Sequence, residues 1–112
     1  MSNEQGHQFL YLTTKGWKTG RQHKIEIWFV LYAGKYYVVS ERKEKAHWVR
    51  NIINHPRVVF TVNSRSFEGT ARIVDKHTDF KLAEEVSNIM YKKYGWSDGL
   101  IAELNPYKEQ AE

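Results

Sequence analysis

Lys24-Ile25-Glu26-Ile27-Trp28-Phe29-Val30-Leu31-Tyr32-Ala33-Gly34-Lys35-Tyr36-Tyr37-Val38-Val39-Ser40 is the stretch whose reading decides the fold class. Ile25, Ile27, Phe29 and Leu31 alternate with Lys24, Glu26, Trp28 and Val30, the two-residue period of a strand with one buried face. Ala33-Gly34 is a tight turn, so residues 35–40 return as the second strand of a hairpin. Trp28 points away from Ile27 and Phe29. A large aromatic there requires a second covered surface, a ligand cleft or a subunit contact.

Upstream, Phe9-Leu10-Tyr11-Leu12-Thr13-Thr14 is apolar and β-prone, and Gly16 and Gly20 bracket the loop that follows. Downstream the period changes. Over residues 45–54, Trp48, Val49, Ile52 and Ile53 share one helical face and read as core, with Arg50, Asn51 and Asn54 opposite. His55-Pro56 stops this helix, because the residue before proline avoids helical geometry. Residues 57–62 and 66–74 read as strands joined through Asn63-Ser64-Arg65. Phe67, Gly69, Ala71 and Ile73 share a face of the second, and its small residues suggest close approach by a neighbouring strand, a bend or a ligand. Residues 79–94 form an amphipathic helix through Phe80, Ala83, Val86, Ile89, Met90 and Tyr94, with Thr78 as N-cap and Gly95 as C-cap. Residues 98–112 read as a C-terminal tail rich in turn residues.

The expected molecule is one domain over residues 1–112, its core spanning residues 8–97. It is mainly β (α+β): five or six short antiparallel strands in a small barrel, with two peripheral helices. A doubly wound parallel sheet fails, since it needs a helix after nearly every strand.

Composition narrows the function. The 112 residues include no cysteine, which excludes disulfides, thiolate metal sites and cysteine nucleophiles. Hydrophobic residues at 41% against 27% charged fit an ordered domain, and no apolar run reaches a membrane span. Residues 1–7 are polar and carry an acid, unlike a signal peptide, so a cytoplasmic setting is expected. The excess of 17 basic over 13 acidic residues is concentrated. Lys15, Lys18, Arg21 and Lys24 stand with His23 in a loop free of acids, and Arg42, Lys43 and Lys45 form a second cluster. Aromatics at 14% direct attention to flat ligands.

In the loop Thr13-Thr14-Lys15-Gly16-Trp17-Lys18-Thr19-Gly20-Arg21, the glycines let the backbone approach a ligand and the basic and hydroxyl groups can hold phosphate. It is not a Walker loop, whose spacing is longer and whose Lys-Ser/Thr pair is absent. The histidines His7, His23, His47, His55 and His77 lack metal-ligand spacing, so no metal site is expected. No serine lies in a nucleophile elbow and no acid pair suggests glycosidase chemistry.

Two segments together resemble the deazaflavin-dependent nitroreductases, a family of the flavin-binding split β-barrels related to pyridoxamine 5'-phosphate oxidase. The first is Leu12-Thr13-Thr14-Lys15-Gly16-Trp17-Lys18-Thr19-Gly20 followed by Ile25-Glu26-Ile27-Trp28-Phe29-Val30. The second is Tyr37-Val38-Val39-Ser40, then Trp48-Val49-Arg50-Asn51-Ile52 and Asn54-His55-Pro56-Arg57-Val58. Trp17 stands at a usually basic position, His23 where arginine is common and Glu26 where proline is usual.

The resemblance implies an antiparallel split β-barrel that binds a deazaflavin (coenzyme F-420) or FMN and transfers hydride to a small acceptor such as a nitro compound or quinone. By position, Lys18, Thr19, Gly20, Arg21 and Lys45 are implied at the phosphate. Trp28, Ser40, Trp48 and Asn51 are implied around the rest of the cofactor. Ser40, Tyr91 and Tyr94 are the implied proton donors or substrate-closing residues, with Tyr107 as a further candidate. A homodimer is also implied. The alternatives are a non-catalytic cofactor- or haem-binding split barrel and a small basic barrel that binds nucleic acid. Against the last, the aromatics lie on alternating strands and are not interleaved with the basic cluster.

Overall fold

The strands are β1 (Phe9–Lys15), β2 (Gln22–Tyr32), β3 (Lys35–Ser40), β4 (Arg57–Val62), β5 (Arg65–Ile73) and β6 (Leu100–Glu109). Helix α1 (His47–Asn54) lies between β3 and β4, and α2 (Phe80–Tyr94) between β5 and β6. The computed structural model describes residues 9–110, so the polar amino-terminal residues 1–7, with His7, and the expected start of the core at residue 8 lie outside the described residues. The strands close an antiparallel barrel in the order β1-β2-β3-β6-β5-β4, the split β-barrel with two peripheral helices.

Turn chemistry builds the two hairpins. Ala33 and Gly34 both take positive φ, 52° and 80°, as do Asn63 and Ser64 at 51° and 65°. Two-residue turns of that kind match the right-handed twist of the flanking strands. Inside the barrel Leu10, Leu12, Phe29, Tyr36, Val38, Phe60 and Leu104 pack together, and Ile52 of α1 joins them. A second cluster forms outside, where Val30, Tyr37, Val39 and Ile101 meet Ala83, Val86 and Met90 of α2. β3 is therefore covered on both faces, which accounts for its unbroken apolar run.

Several expectations are corrected. Of the tail expected over residues 98–112, Leu100–Glu109 is a strand: β6 pairs with both β3 and β5 and closes the barrel. Pro106 and Asn105 read as turn signals, yet Pro106 sits where the β5–β6 register shifts at Glu68/Gly69, a break in the ladder that accommodates proline. The close approach at Gly69 is real, since a Cβ there would lie 2.5 Å from the Asn105 carbonyl oxygen. The helix expected over 45–54 is a 3-10 turn, Lys43–Lys45, followed by α1. On α1, Val49, Ile52 and Asn51 face inward and Ile53 is 58% exposed, so Asn51 and Ile53 exchange their expected places. Phe80 is likewise exposed, and Asp79 replaces Thr78 as N-cap, with no side-chain capping bond. Gly95 does end α2 in the left-handed conformation. Ile25 and Ile27 are half-buried, in contrast to Phe29 on the same strand. No helix among the described residues is long and apolar enough to cross a membrane.

Candidate functional site

The barrel is split along one edge of β2. Residues 29–32 pair with β3, whereas residues 22–28 pair with β1 alone. Beyond Val38 the chain leaves β2, passes the 3-10 turn and enters α1, so a trough opens between the unpaired edge of β2 and that stretch. Three adjoining compartments follow it. The first, about 440 Å³, lies between the Gly16–Thr19 loop and α1. The second, about 410 Å³, shares Ile25, His47 and Trp48 with the first and includes Ser40. The third, about 400 Å³, shares Ile27, Val39 and Glu41 with the second and ends at Trp28 and Trp96.

The first compartment is basic. Lys18, Lys24, Arg50, His23 and His47 line it, and no carboxylate does so among the described residues. The loop is held in place by Asn51, buried on α1. Its Oδ1 accepts from the Trp17 backbone N–H at 3.0 Å and its Nδ2 donates to Thr14 Oγ1 at 2.9 Å. The loop also closes on itself. The Gly16 N–H donates to the Arg21 carbonyl at 2.6 Å, and the Arg21 N–H donates to Thr19 Oγ1 at 3.2 Å. Gly20 turns the chain at a φ of 75°, a conformation open to glycine without a Cβ clash. Lys18 and Arg50 flank the exposed Trp17 ring, their charges 4.9 and 5.8 Å from its centroid.

Of the residues singled out from sequence, Lys18, Thr19, Trp48 and Asn51 meet at the first compartment. Ser40 borders the second, its Oγ donating to the Lys43 carbonyl at 3.0 Å. Trp28 lies at the far end, in the third. Gly20 opens onto a separate groove with Lys15, Arg57 and Tyr107. The side chains of Arg21, Lys45 and Tyr91 line none of these three compartments.

Tyr94 stands behind Trp28, its ring stacked at 4.5 Å with planes 3° apart. Its hydroxyl donates to the Phe29 carbonyl at 2.6 Å and accepts from the Phe29 N–H at 3.1 Å. Burial pushes this phenol up to about 12, against the bond it accepts from the Phe29 N–H. Lys93 Nζ donates to the same carbonyl at 3.0 Å, and burial lowers its ammonium to about 8.

Lys24, Arg50, His47 and Trp96 belong to the trough but carry no signal strong enough to select them from sequence. Lys24 and Arg50 were visible only as members of a basic cluster and of a polar helix face.

A family model described as F420H(2)-dependent quinone reductase matches residues 2–97. No curated protein matches the chain. Among solved structures, HutZ, the heme storage protein from Vibrio cholerae, is 21% identical over 94% of this chain and 85% of its own, with a TM-score of 0.78. An F420-H2 dependent reductase, FDR-A, is 22% identical over 88% of this chain and 95% of its own, with a TM-score of 0.62. General Stress Protein 26 from Bacillus anthracis str. Sterne is 19% identical over 92% of this chain and 82% of its own, at a TM-score of 0.70. At these identities the structural likenesses bear on the fold alone.

Proposed function

The chain belongs to the F420H(2)-dependent quinone reductase family, and on that premise we propose that it reduces a small flat acceptor, a quinone or nitro compound, with a deazaflavin or FMN held in the trough. Membership supports a flavin- or deazaflavin-dependent oxidoreductase role. The observation that carries the finer assignment is the continuity of the trough, basic at one end and aromatic at the other, along an unpaired strand edge.

The donor set fits a phosphorylated flavin-type molecule. Lys18, Lys24 and Arg50 offer charge-assisted bonds to a phosphate in a compartment without competing carboxylates. Trp48 offers an aromatic wall, and the free β2 edge offers backbone donors and acceptors for ring heteroatoms. Such a cofactor supplies the hydride itself, so the protein need only bind, orient and exclude water. Asn51 positions the phosphate loop, and the buried Ser40 hydroxyl shapes the turn toward Lys43. Tyr94, bonded twice to Phe29, serves as a support for Trp28 and is not a free proton donor in this arrangement.

The proposal carries a cytoplasmic setting. It also carries a homodimer, for which the exposed apolar Phe9, Tyr11 and Ile53 offer contact surface. Light scattering after gel filtration tests that state, and a monomer removes it. His23 and His47 in the first compartment favour haem binding as the second reading.

One absorption series decides between them. Saturable binding of coenzyme F-420 or FMN, weakened by salt, supports the reductase. A Soret band on adding haem with no response to either flavin replaces it.

A further inference from the structure

The two ends of the trough differ in charge as well as in shape. The first compartment holds cations and no carboxylate, whereas Glu26 and Glu41 stand in the third, which no lysine, arginine or histidine lines among the described residues. The walls of the third are aromatic. One face of the Trp28 indole is covered by Tyr94, Trp96 meets it edge-on at 6.4 Å and 70°, and Phe9 sits opposite Trp28 across the β1–β2 ladder. Even so, Trp28 remains 39% exposed, so part of its surface faces the cavity. The stack is rigid because the Tyr94 hydroxyl is bonded to both the N–H and the carbonyl of Phe29. The carboxylates that form ion pairs among the described residues are Glu103, Glu109 and Asp79, none of them in this compartment.

We propose that the third compartment binds a flat heteroaromatic cation and that, beside uncharged quinones and nitro compounds, the protein takes acceptors that carry a positive charge. Indole faces attract a delocalised cation through their quadrupole, and two carboxylates at the same cavity strengthen that attraction. A preformed aromatic wall binds such a molecule without first paying to order itself. The second half of the proposal rests on the reductase assignment; the first half does not.

The chemistry agrees with this choice. A heteroaromatic cation that accepts one hydride gains two electrons and one C–H bond and becomes neutral, the reductant being the reduced deazaflavin or flavin. It asks no proton of the protein. No hydroxyl, imidazole or ammonium lines the third compartment among the described residues, and the neighbouring Tyr94 hydroxyl is already engaged. The neutral product loses the attraction of Glu26 and Glu41 and leaves more readily.

The test uses the full chain without cofactor and follows the indole N–H signals of its four tryptophans by NMR. The probes are N-methylquinolinium, the uncharged quinoline at neutral pH, and 2-naphthoate. The expected result is saturable movement of the Trp28 and Trp96 signals with N-methylquinolinium, while Trp17 and Trp48 stay in place. Affinity for the cation should exceed that for quinoline by about tenfold, with no naphthoate binding. The double variant Glu26→Gln/Glu41→Gln should lose about that tenfold, and Glu84→Gln on the exposed face of α2 should lose nothing. Equal affinity for quinoline, naphthoate acting on the same signals, or full retention by the double variant overturns the site. Titration with F-420 and FMN is scored apart. Cation binding without cofactor binding keeps the site and removes the reductase, and the reverse keeps the reductase and removes the site.

Discussion

Asn51 shows how a polar side chain on a short helix sets the Gly16–Thr19 loop. Both ends of its amide are spent on Trp17 and Thr14, so Asn51→Ala leaves a backbone N–H and a hydroxyl without a partner. Loss of about 1–3 kcal/mol is expected in denaturant unfolding, with weaker cofactor binding as the loop loosens. Lys18 has the opposite profile. Lys18→Ala should leave stability almost unchanged but lower F-420 or FMN affinity by about one to two orders of magnitude, the worth of a charge-assisted contact. Lys108→Ala, on an exposed stretch of β6, serves as the control and should bind as the parent does. Lys93 reports on the folded state through pH. From about 8 to its ordinary 10.5, the folded chain has shed a proton that the unfolded chain retains, so stability rises with pH across that window. Tyr94 acts the other way from 10.0 to about 12, where the folded chain keeps a proton the unfolded chain loses. Thermal melts of Lys93→Met should lack the rise above pH 8 and keep the later fall. Lys18 and Thr19 were legible from composition and the glycine-bounded loop. Asn51 was legible only by resemblance, because helical period put it on the solvent face; a hydrogen-bonded amide can occupy a buried position that period reserves for apolar side chains.

At the level of elements, the deciding feature is a polar row across three strands. Tyr37 of β3, Glu103 of β6 and Arg72 of β5 are direct cross-strand partners. The Tyr37 hydroxyl donates to Glu103 at 2.8 Å, and Arg72 donates to its carboxylate at 2.9 and 3.2 Å. Arg72 also reaches Asp79 at 3.0 Å, tying the start of α2 to the sheet. Burial alone would raise the Glu103 carboxyl, but the bonds from Arg72 and Tyr37 outweigh it and hold the group below its ordinary value. Its contribution is therefore complete above the ordinary carboxylate range and is lost as pH falls through the folded value. Glu103→Gln should cost about 1.5 kcal/mol, the low end for charged hydrogen bonds because Arg72 is half exposed, and should flatten the acid limb of stability against pH. An unchanged acid limb in urea midpoints would show that other carboxylates govern it. None of this row could be read in advance, since a lone acid in a stretch that ends in Asn105-Pro106 signals a turn and its partners lie on other strands.

For the whole molecule, closure depends on β6. It supplies the ladders to β3 and β5 and places Ile101 against α2 and Leu104 inside the barrel. A chain ending at residue 97 should lose cooperative unfolding and near-ultraviolet circular dichroism, because β3 and β5 would each present an unpaired edge and both apolar clusters would be opened. A sharp melt from that truncated chain would contradict the role assigned to β6. The trough depends on the same closure, since β2 can leave its β3-facing edge unpaired over residues 22–28 only while the remaining ladders hold the barrel together.

By itself the sequence determined the hairpins, the two helices, the antiparallel class and the basic loop, all of them properties of neighbours within a few residues. Alternation, turn residues and helical period act over that range and are written locally. The resemblance added the order of the loop, strand and helix motifs and thereby the family. The tertiary structure decided what depends on distant partners: β6 as the closing strand, Asn51 turned inward, and the Glu103 row. It also decided the alignment of three compartments along one strand edge. A strand's neighbours and a trough's far end lie tens of residues away in the chain, and only folding brings their charges and rings within reach of one another.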